Sequence, residues 1–135
     1  RHFRYLEAVS EQEKIKLEKD FQYDGTIAAD PQKLMRVLQN LTSNARRAMG
    51  SGDKLTLTSE KVDSTVLIHI QDTGRGMSPE VQENLFKPYF TSDKRRGTGL
   101  GLSITRNIIA AHRGELTFES ELDKGTKFTI SFPIS

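Results

Sequence analysis

The sequence predicts a two-layer α/β sandwich: a mixed, mainly antiparallel sheet packed on about three helices. Three observations carry this. Segments with strand-like alternation stand both before and after the helical stretches. Asp30-Pro31 opens a long amphipathic helix, with an N-cap residue followed by proline at the first helical position. The chain closes on two alternating segments, ELTFES and KFTISF, joined through Asp123-Lys124-Gly125 as in a hairpin. The length, 135 residues, suits one domain. A net charge of +2, with the signs mixed along the chain, is too small to argue for nucleic acid. Cysteine is absent, which excludes a disulfide framework and thiolate-ligated zinc. No apolar run approaches the roughly 20 residues that span a bilayer, and no signal-peptide pattern opens the chain. A soluble stretch is expected, with a membrane anchor elsewhere in the parent left open.

The elements follow in order. Residues 1–13 read as a helix end or a linker. KIKLEKDFQ alternates, with Ile15, Leu17 and Phe21 on one side, and predicts a strand before a turn at Asp24-Gly25. The first helix should run from Asp30 to about Met49 and end at Gly50-Ser51-Gly52. Leu34, Leu38, Leu41, Ala45 and Ala48 form its core stripe. KLTLTSE and TVLIHIQD are strands separated by Val62-Asp63-Ser64. The stretch from Thr73 to Gly101 loses periodicity, apart from a short helix in PEVQENLF. A second long helix should run from about Leu100 to Arg113, closed by Gly114.

Three local patterns suggest chemistry. Asn40, Asn44 and Arg47 make a second stripe on the first helix, about a third of a turn from the core stripe at about 100° per residue. Such a stripe can offer amide oxygens to a hard cation and a guanidinium to phosphate, although taken alone it reads first as a solvated edge. Asp72-Thr73-Gly74-Arg75-Gly76-Met77 follows a strand directly. Its carboxylate can accept from an exocyclic amine and its glycines permit close approach, although an ordinary Asp-Gly turn has the same sequence. Gly97-Thr98-Gly99-Leu100-Gly101-Leu102 opens the second long helix, where free N–H groups and the helix dipole favour phosphate; a flexible connector is the alternative.

Together these segments resemble the GHKL superfamily of ATP-binding domains (the Bergerat-type fold), and within it the histidine kinases. LMRVLQNLTSNARRAM resembles the N box, DTGRGM the first glycine box, LFKPYF the phenylalanine box, GTGLGL the second glycine box, and Gly125-Thr126 the last. The likeness covers residues 14–135, which it marks as a catalytic ATP-binding domain, with 1–13 a linker from a dimerisation and phosphoacceptor domain. FKPYFTSDK is similar to the FxPFFTTK pattern of nitrogen-regulator-type kinases, departing at Tyr89 and by an extra Asp93.

The resemblance implies ATP and Mg²⁺ as cofactors and transfer of the γ-phosphoryl group to a histidine on a separate domain, in two-component signalling. It implies Asn40, Asn44 and Arg47 as catalytic residues, with Asn44 and Asn40 holding the metal. Asp72 would read the adenine amine, helped by Thr126, with Gly74, Gly76 and Met77 as the pocket wall. Gly97, Thr98, Gly99, Leu100, Gly101 and Leu102 would meet the phosphates, with Lys94 reaching them from a lid over about Ser78–Arg96. Phe86 and Phe90 would anchor that lid. Implied partners are the dimerisation domain and, indirectly, a response regulator. Nucleic acid and membrane contact are not implied, and the stretch should be a cytoplasmic monomer. His2, His69 and His112 lack the family's acceptor surroundings and read as structural. Gyrase-, mismatch-repair- and chaperone-type ATPases, like anti-sigma serine kinases, place an acidic residue where this chain has Asn40. A degenerate nucleotide-binding scaffold is the remaining alternative.

Overall fold

The computed structural model describes residues 16–21, 30–87 and 101–133. The elements are β1 (Lys16–Phe21), α1 (Pro31–Ala48), β2 (Lys54–Val62), β3 (Thr65–Asp72), α2 (Pro79–Asn84), α3 (Gly101–Ala111), β4 (Glu115–Glu121) and β5 (Gly125–Pro133). The five strands form one sheet in the order β1-β2-β3-β5-β4. β1 runs parallel to β2, as a crossover through α1 requires, and every other pairing is antiparallel. The expected mixed, mainly antiparallel sheet is thus present. The linker at 1–13, Ile15 and the turn at Asp24-Gly25 lie outside the described residues.

Alternation along the strands gives the sheet one apolar face. Leu57, Ile70, Phe128 and Phe118 stand in register as a row across β2, β3, β5 and β4. With Leu55, Leu116, Ile130 and Phe132 they meet Val37, Leu41 and Ala45 of α1 and Ile109 of α3 in one core.

α1 begins where the sequence places it. The Asp30 side chain accepts from the N–H groups of Gln32 and Lys33, and Pro31 occupies the first turn. The core stripe, however, is centred differently. Val37, Leu41 and Ala45 are buried, whereas Leu34 and Leu38 are partly buried at its edges. A helix lying on a sheet buries a face wider than one ladder of four-and-three steps, and this brings in Val37.

α3 ends at Ala111, two residues before the expected Arg113, and the left-handed residue that follows it is not glycine. Arg113 adopts the left-handed conformation, with φ 62°. Its N–H bonds the carbonyl of Ala110, and that of Gly114 bonds the carbonyl of Ile109, the paired bonds of a Schellman ending. His112 joins this end to the start of α1. Its Nδ1 donates to the Ile108 carbonyl at 2.8 Å and its Nε2 accepts from the Asp30 N–H at 3.2 Å. His69 sits on the opposite face of the sheet, with Nδ1 2.9 Å from Thr129 Oγ1 and Nε2 3.6 Å from a Glu60 carboxylate oxygen.

Candidate functional site

One register step beyond the apolar row, the inner face of the sheet turns polar. Leu55, Asp72, Thr126 and Ser120 stand opposite one another across β2, β3, β5 and β4. Asp72 and Thr126 are only 3% and 6% exposed. A carboxylate buried to this degree is costly unless hydrogen-bonded. Asp72 Oδ1 accepts from the Gly74 N–H at 2.8 Å. Burial still pushes its carboxyl above the usual aspartate range, and Asp53 adds to the rise; the N–H groups of Gly74 and Thr126 work against it.

Ser120 is the hub of this row. Its Oγ lies 2.8 Å from Thr126 Oγ1, accepts from the Met77 N–H at 2.9 Å and donates to the Gly125 carbonyl at 3.1 Å. Gln82 of α2 donates to the carbonyls of Met77 and Ser120. These bonds hold the loop after β3 against the β4–β5 hairpin, with a further bond from the Asp123 N–H to the Arg75 carbonyl. At the loop's start, Thr73 Oγ1 accepts from the Lys54 N–H.

The two glycines of the loop serve the protein itself. A Cβ on Gly74 would collide with the carbonyl oxygen of Ala48, and one on Gly76 with that of Glu121. Gly76 also has φ +68°. The sequence left open whether a ligand or an ordinary turn called for these glycines; the neighbours that demand them are backbone atoms of α1 and β4. At Gly101 the situation is reversed, since among the described residues nothing lies within 4 Å of an added Cβ.

The polar stripe of α1 connects two ends of this region. Asn40 Nδ2 reaches Thr105 Oγ1 at 3.0 Å and the Gly101 carbonyl at 3.4 Å, at the first turn of α3. Asn44, half-buried, lies one turn further along. One more turn leads to Ala48, whose carbonyl accepts from the Arg75 N–H at 2.9 Å. At 1.5 Å per residue, the stripe therefore spans about 12 Å from the start of α3 to the loop beside Asp72. Arg47 lies on the exposed side of the last turn. Leu102 packs against the core and Gly101 is exposed at the helix start.

Phe86, following α2, meets Phe118 edge-on at 5.8 Å between ring centroids, and the Arg106 guanidinium lies 5.1 Å above its ring. The base of the stretch read as a lid is thus fastened to β4 and α3. Lys94, Gly97, Thr98, Gly99 and Leu100, with Phe90, lie outside the described residues. Among those described, Asp72, Gly74, Gly76, Met77 and Thr126 gather around the loop after β3, Asn40 meets the start of α3, where Gly101 and Leu102 stand, and Asn44 lies between the two groups along α1. Sequence reasoning missed Ser120, Gln82, Thr73 and Thr105. A lone hydroxyl or amide far from its partner in the chain gives no local signal.

Known proteins share this fold. A model of the histidine kinase-, DNA gyrase B- and HSP90-like ATPase family matches residues 29–135. The sensor histidine kinase ZraS of Escherichia coli strain K12 is 38% identical over 109 residues, covering 81% of this chain and 23% of that protein. Sporulation kinase D of Bacillus subtilis is 36% identical over 102 residues, covering 76% and 20%. The chain thus spans roughly a quarter of the length of the curated relatives it matches. The catalytic domain of histidine kinase ThkA superposes with a TM-score of 0.86 at 30% identity, covering 98% of this chain and 87% of that one. ThkA in complex with the response regulator TrrA gives 0.82 at 28% identity, covering 99% and 38%. Fold and relatives agree: the chain belongs to the histidine kinase-, DNA gyrase B- and HSP90-like ATPase family, as an ATP-binding catalytic domain of the sensor histidine kinase type.

Proposed function

We propose that the domain binds ATP with Mg²⁺ and transfers the γ-phosphoryl group to a histidine of a separate dimerisation domain, in two-component signalling. The observation that carries this reading is Asp72: a carboxylate 3% exposed at the end of β3, tied to its own loop through one oxygen. A carboxylate so placed is an acceptor for the 6-amino group of adenine. The Thr126 N–H bonds it from the neighbouring strand, Ser120 holds Thr126 in turn, and Gly74, Gly76 and Met77 would form the wall beside the base.

From there the stripe of α1 leads toward the start of α3, so the triphosphate would lie along it. The donor set suits Mg²⁺, a hard cation that takes oxygen ligands. Asn44 and Asn40 carry amide oxygens one helical turn apart, and the contacts of Asn40 Nδ2 use the nitrogen side of its amide. When bound, Mg²⁺ would neutralise phosphate charge. Arg47 and Lys94 would add positive charge, and N–H groups across Gly97–Leu102 would orient the phosphates. The acceptor imidazole nitrogen then forms a bond to the γ-phosphorus as the bond to the bridging oxygen breaks and ADP leaves. The imidazole proton passes to a base on the dimerisation domain.

Hydrolysis is disfavoured. The clamp-type ATPases require a carboxylate at the Asn40 position, and an amide cannot take a proton from water. The nitrogen of this amide is moreover committed to Thr105 and Gly101. The proposed partners are the dimerisation domain directly and a response regulator indirectly, with a cytoplasmic location. Among the described residues no helix is long and apolar enough to cross a membrane. Calorimetric titration with a non-hydrolysable ATP analogue tests the metal assignment. Asn44→Ala should weaken binding about three- to tenfold in Mg²⁺ and much less in chelator. Equal losses in both would refute a metal role for Asn44.

A further inference from the structure

Thr105 poses a question that packing does not answer. It is 0% exposed on α3, one turn before the buried Ile109. Valine has the same shape and would fill the same space without a hydroxyl. A buried hydroxyl costs stability unless it is hydrogen-bonded. Here its partner is Asn40 Nδ2 at 3.0 Å, and the same nitrogen lies 3.4 Å from the carbonyl of Gly101, one turn earlier on α3. A backbone carbonyl can only accept. Turning the Asn40 amide over would set its oxygen against that carbonyl, so the carbonyl selects the orientation with nitrogen toward α3, and the Thr105 hydroxyl holds the amide there by accepting its other N–H. The amide's hydrogens are used there, and Oδ1 is the atom left for a ligand.

We infer that Thr105 is a positioning residue, which orients the Asn40 amide so that its oxygen serves the metal–triphosphate site. The inference rests on the assignment of Asn40 and Asn44 to Mg²⁺ made above. Without the hydroxyl the amide keeps one weak acceptor and can present N–H groups to a cation, which oppose binding. The hydroxyl also couples the stripe of α1 to the first turn of α3, so metal ligand and phosphate-facing helix start are set by one contact.

The test measures affinity for a non-hydrolysable ATP analogue with Mg²⁺ and with chelator, in the chain and in Thr105→Val and Thr105→Ser. In Thr105→Val the Mg²⁺-dependent gain in affinity should fall about three- to tenfold, while Mg²⁺-free affinity changes less than about twofold. Thr105→Ser should restore the gain. In an Asn40→Ala background, Thr105→Val should cause no further loss of it. Thr105→Ala repeats the test in case valine disturbs the core. Equal losses with and without Mg²⁺, an unchanged gain, or failure of serine to restore it would overturn the inference and leave the metal assignment standing. A parent chain whose nucleotide affinity is indifferent to Mg²⁺ would overturn both.

Discussion

Replacing Asp72 with asparagine should weaken ATP binding while leaving the fold at least as stable. The carboxylate is 3% exposed, and its Oδ1 already accepts from the Gly74 N–H at 2.8 Å. Asparagine can keep that bond through its own oxygen, but then turns an NH₂ group where the acid offered an acceptor. A hydrogen bond to a charged group contributes about 1.5–3 kcal/mol, so affinity should fall roughly ten- to a hundredfold. Stability should move the other way. Burial raises the Asp72 carboxyl above its ordinary value, so between the unfolded and folded values the native state holds more protons. The group's favourable contribution is full below the unfolded value and is lost as pH rises through the folded one. Above the folded value the ionised acid therefore costs stability, and the amide removes that cost. Calorimetry with an ATP analogue, and thermal melting at neutral pH and near the ordinary aspartate value of 3.8, measure both effects. The mutant should melt at the same temperature or higher at neutral pH, with the advantage shrinking in acid. Unchanged ATP affinity would refute Asp72 as the adenine reader, and a lower neutral melting temperature would refute the account of its burial.

Two glycines should behave oppositely. Gly76→Ala meets the Glu121 carbonyl at positive φ and should cost at least about 1–3 kcal/mol in urea unfolding. Gly101→Ala meets no described neighbour and should leave stability equal or higher by up to about 1 kcal/mol, yet weaken nucleotide binding. A stable Gly76→Ala, or a Gly101→Ala that binds ATP normally, would contradict this pair. His69 is held below the ordinary histidine value by burial and by Lys127, against Glu60. Its contribution to stability is therefore present above about pH 6.5 and lost as pH falls through the folded value. Melting temperatures across that interval should fall less steeply in His69→Gln; an identical slope would show that another group governs it.

Much of this architecture was legible because it is written locally. Asp30-Pro31 specifies the start of α1 through a cap and a fixed φ, and the period-two strands specify their own buried faces. What was illegible depends on register. Asp72, Thr126 and Ser120 become one polar row only when β3, β5 and β4 align, and nothing near Ser120 in the chain announces its hydroxyl as a hub. Thr105 is likewise an unremarkable helix residue until α3 meets Asn40. The glycines of DTGRGM were visible as positions needing room, but sequence could not say whether ligand or backbone required it. The individual roles proposed for Asn44, Asp72 and Thr126 came from family resemblance; composition and spacing alone favoured a solvated edge and an ordinary turn.

Phosphoryl transfer itself is the direct assay of the proposed activity. The chain is incubated with γ-labelled ATP and Mg²⁺, first alone and then with the dimerisation domain of its own parent kinase. His69 and His112 are engaged in intramolecular contacts, and an amide stands at the position where clamp-type ATPases carry their base. The account predicts no acid-labile label on the chain alone, slow release of phosphate, and acid-labile label on the acceptor domain that disappears in Asp72→Asn at limiting ATP. Label on the chain alone, rapid ATP turnover without acceptor, or an unlabelled acceptor despite intact ATP binding would contradict it.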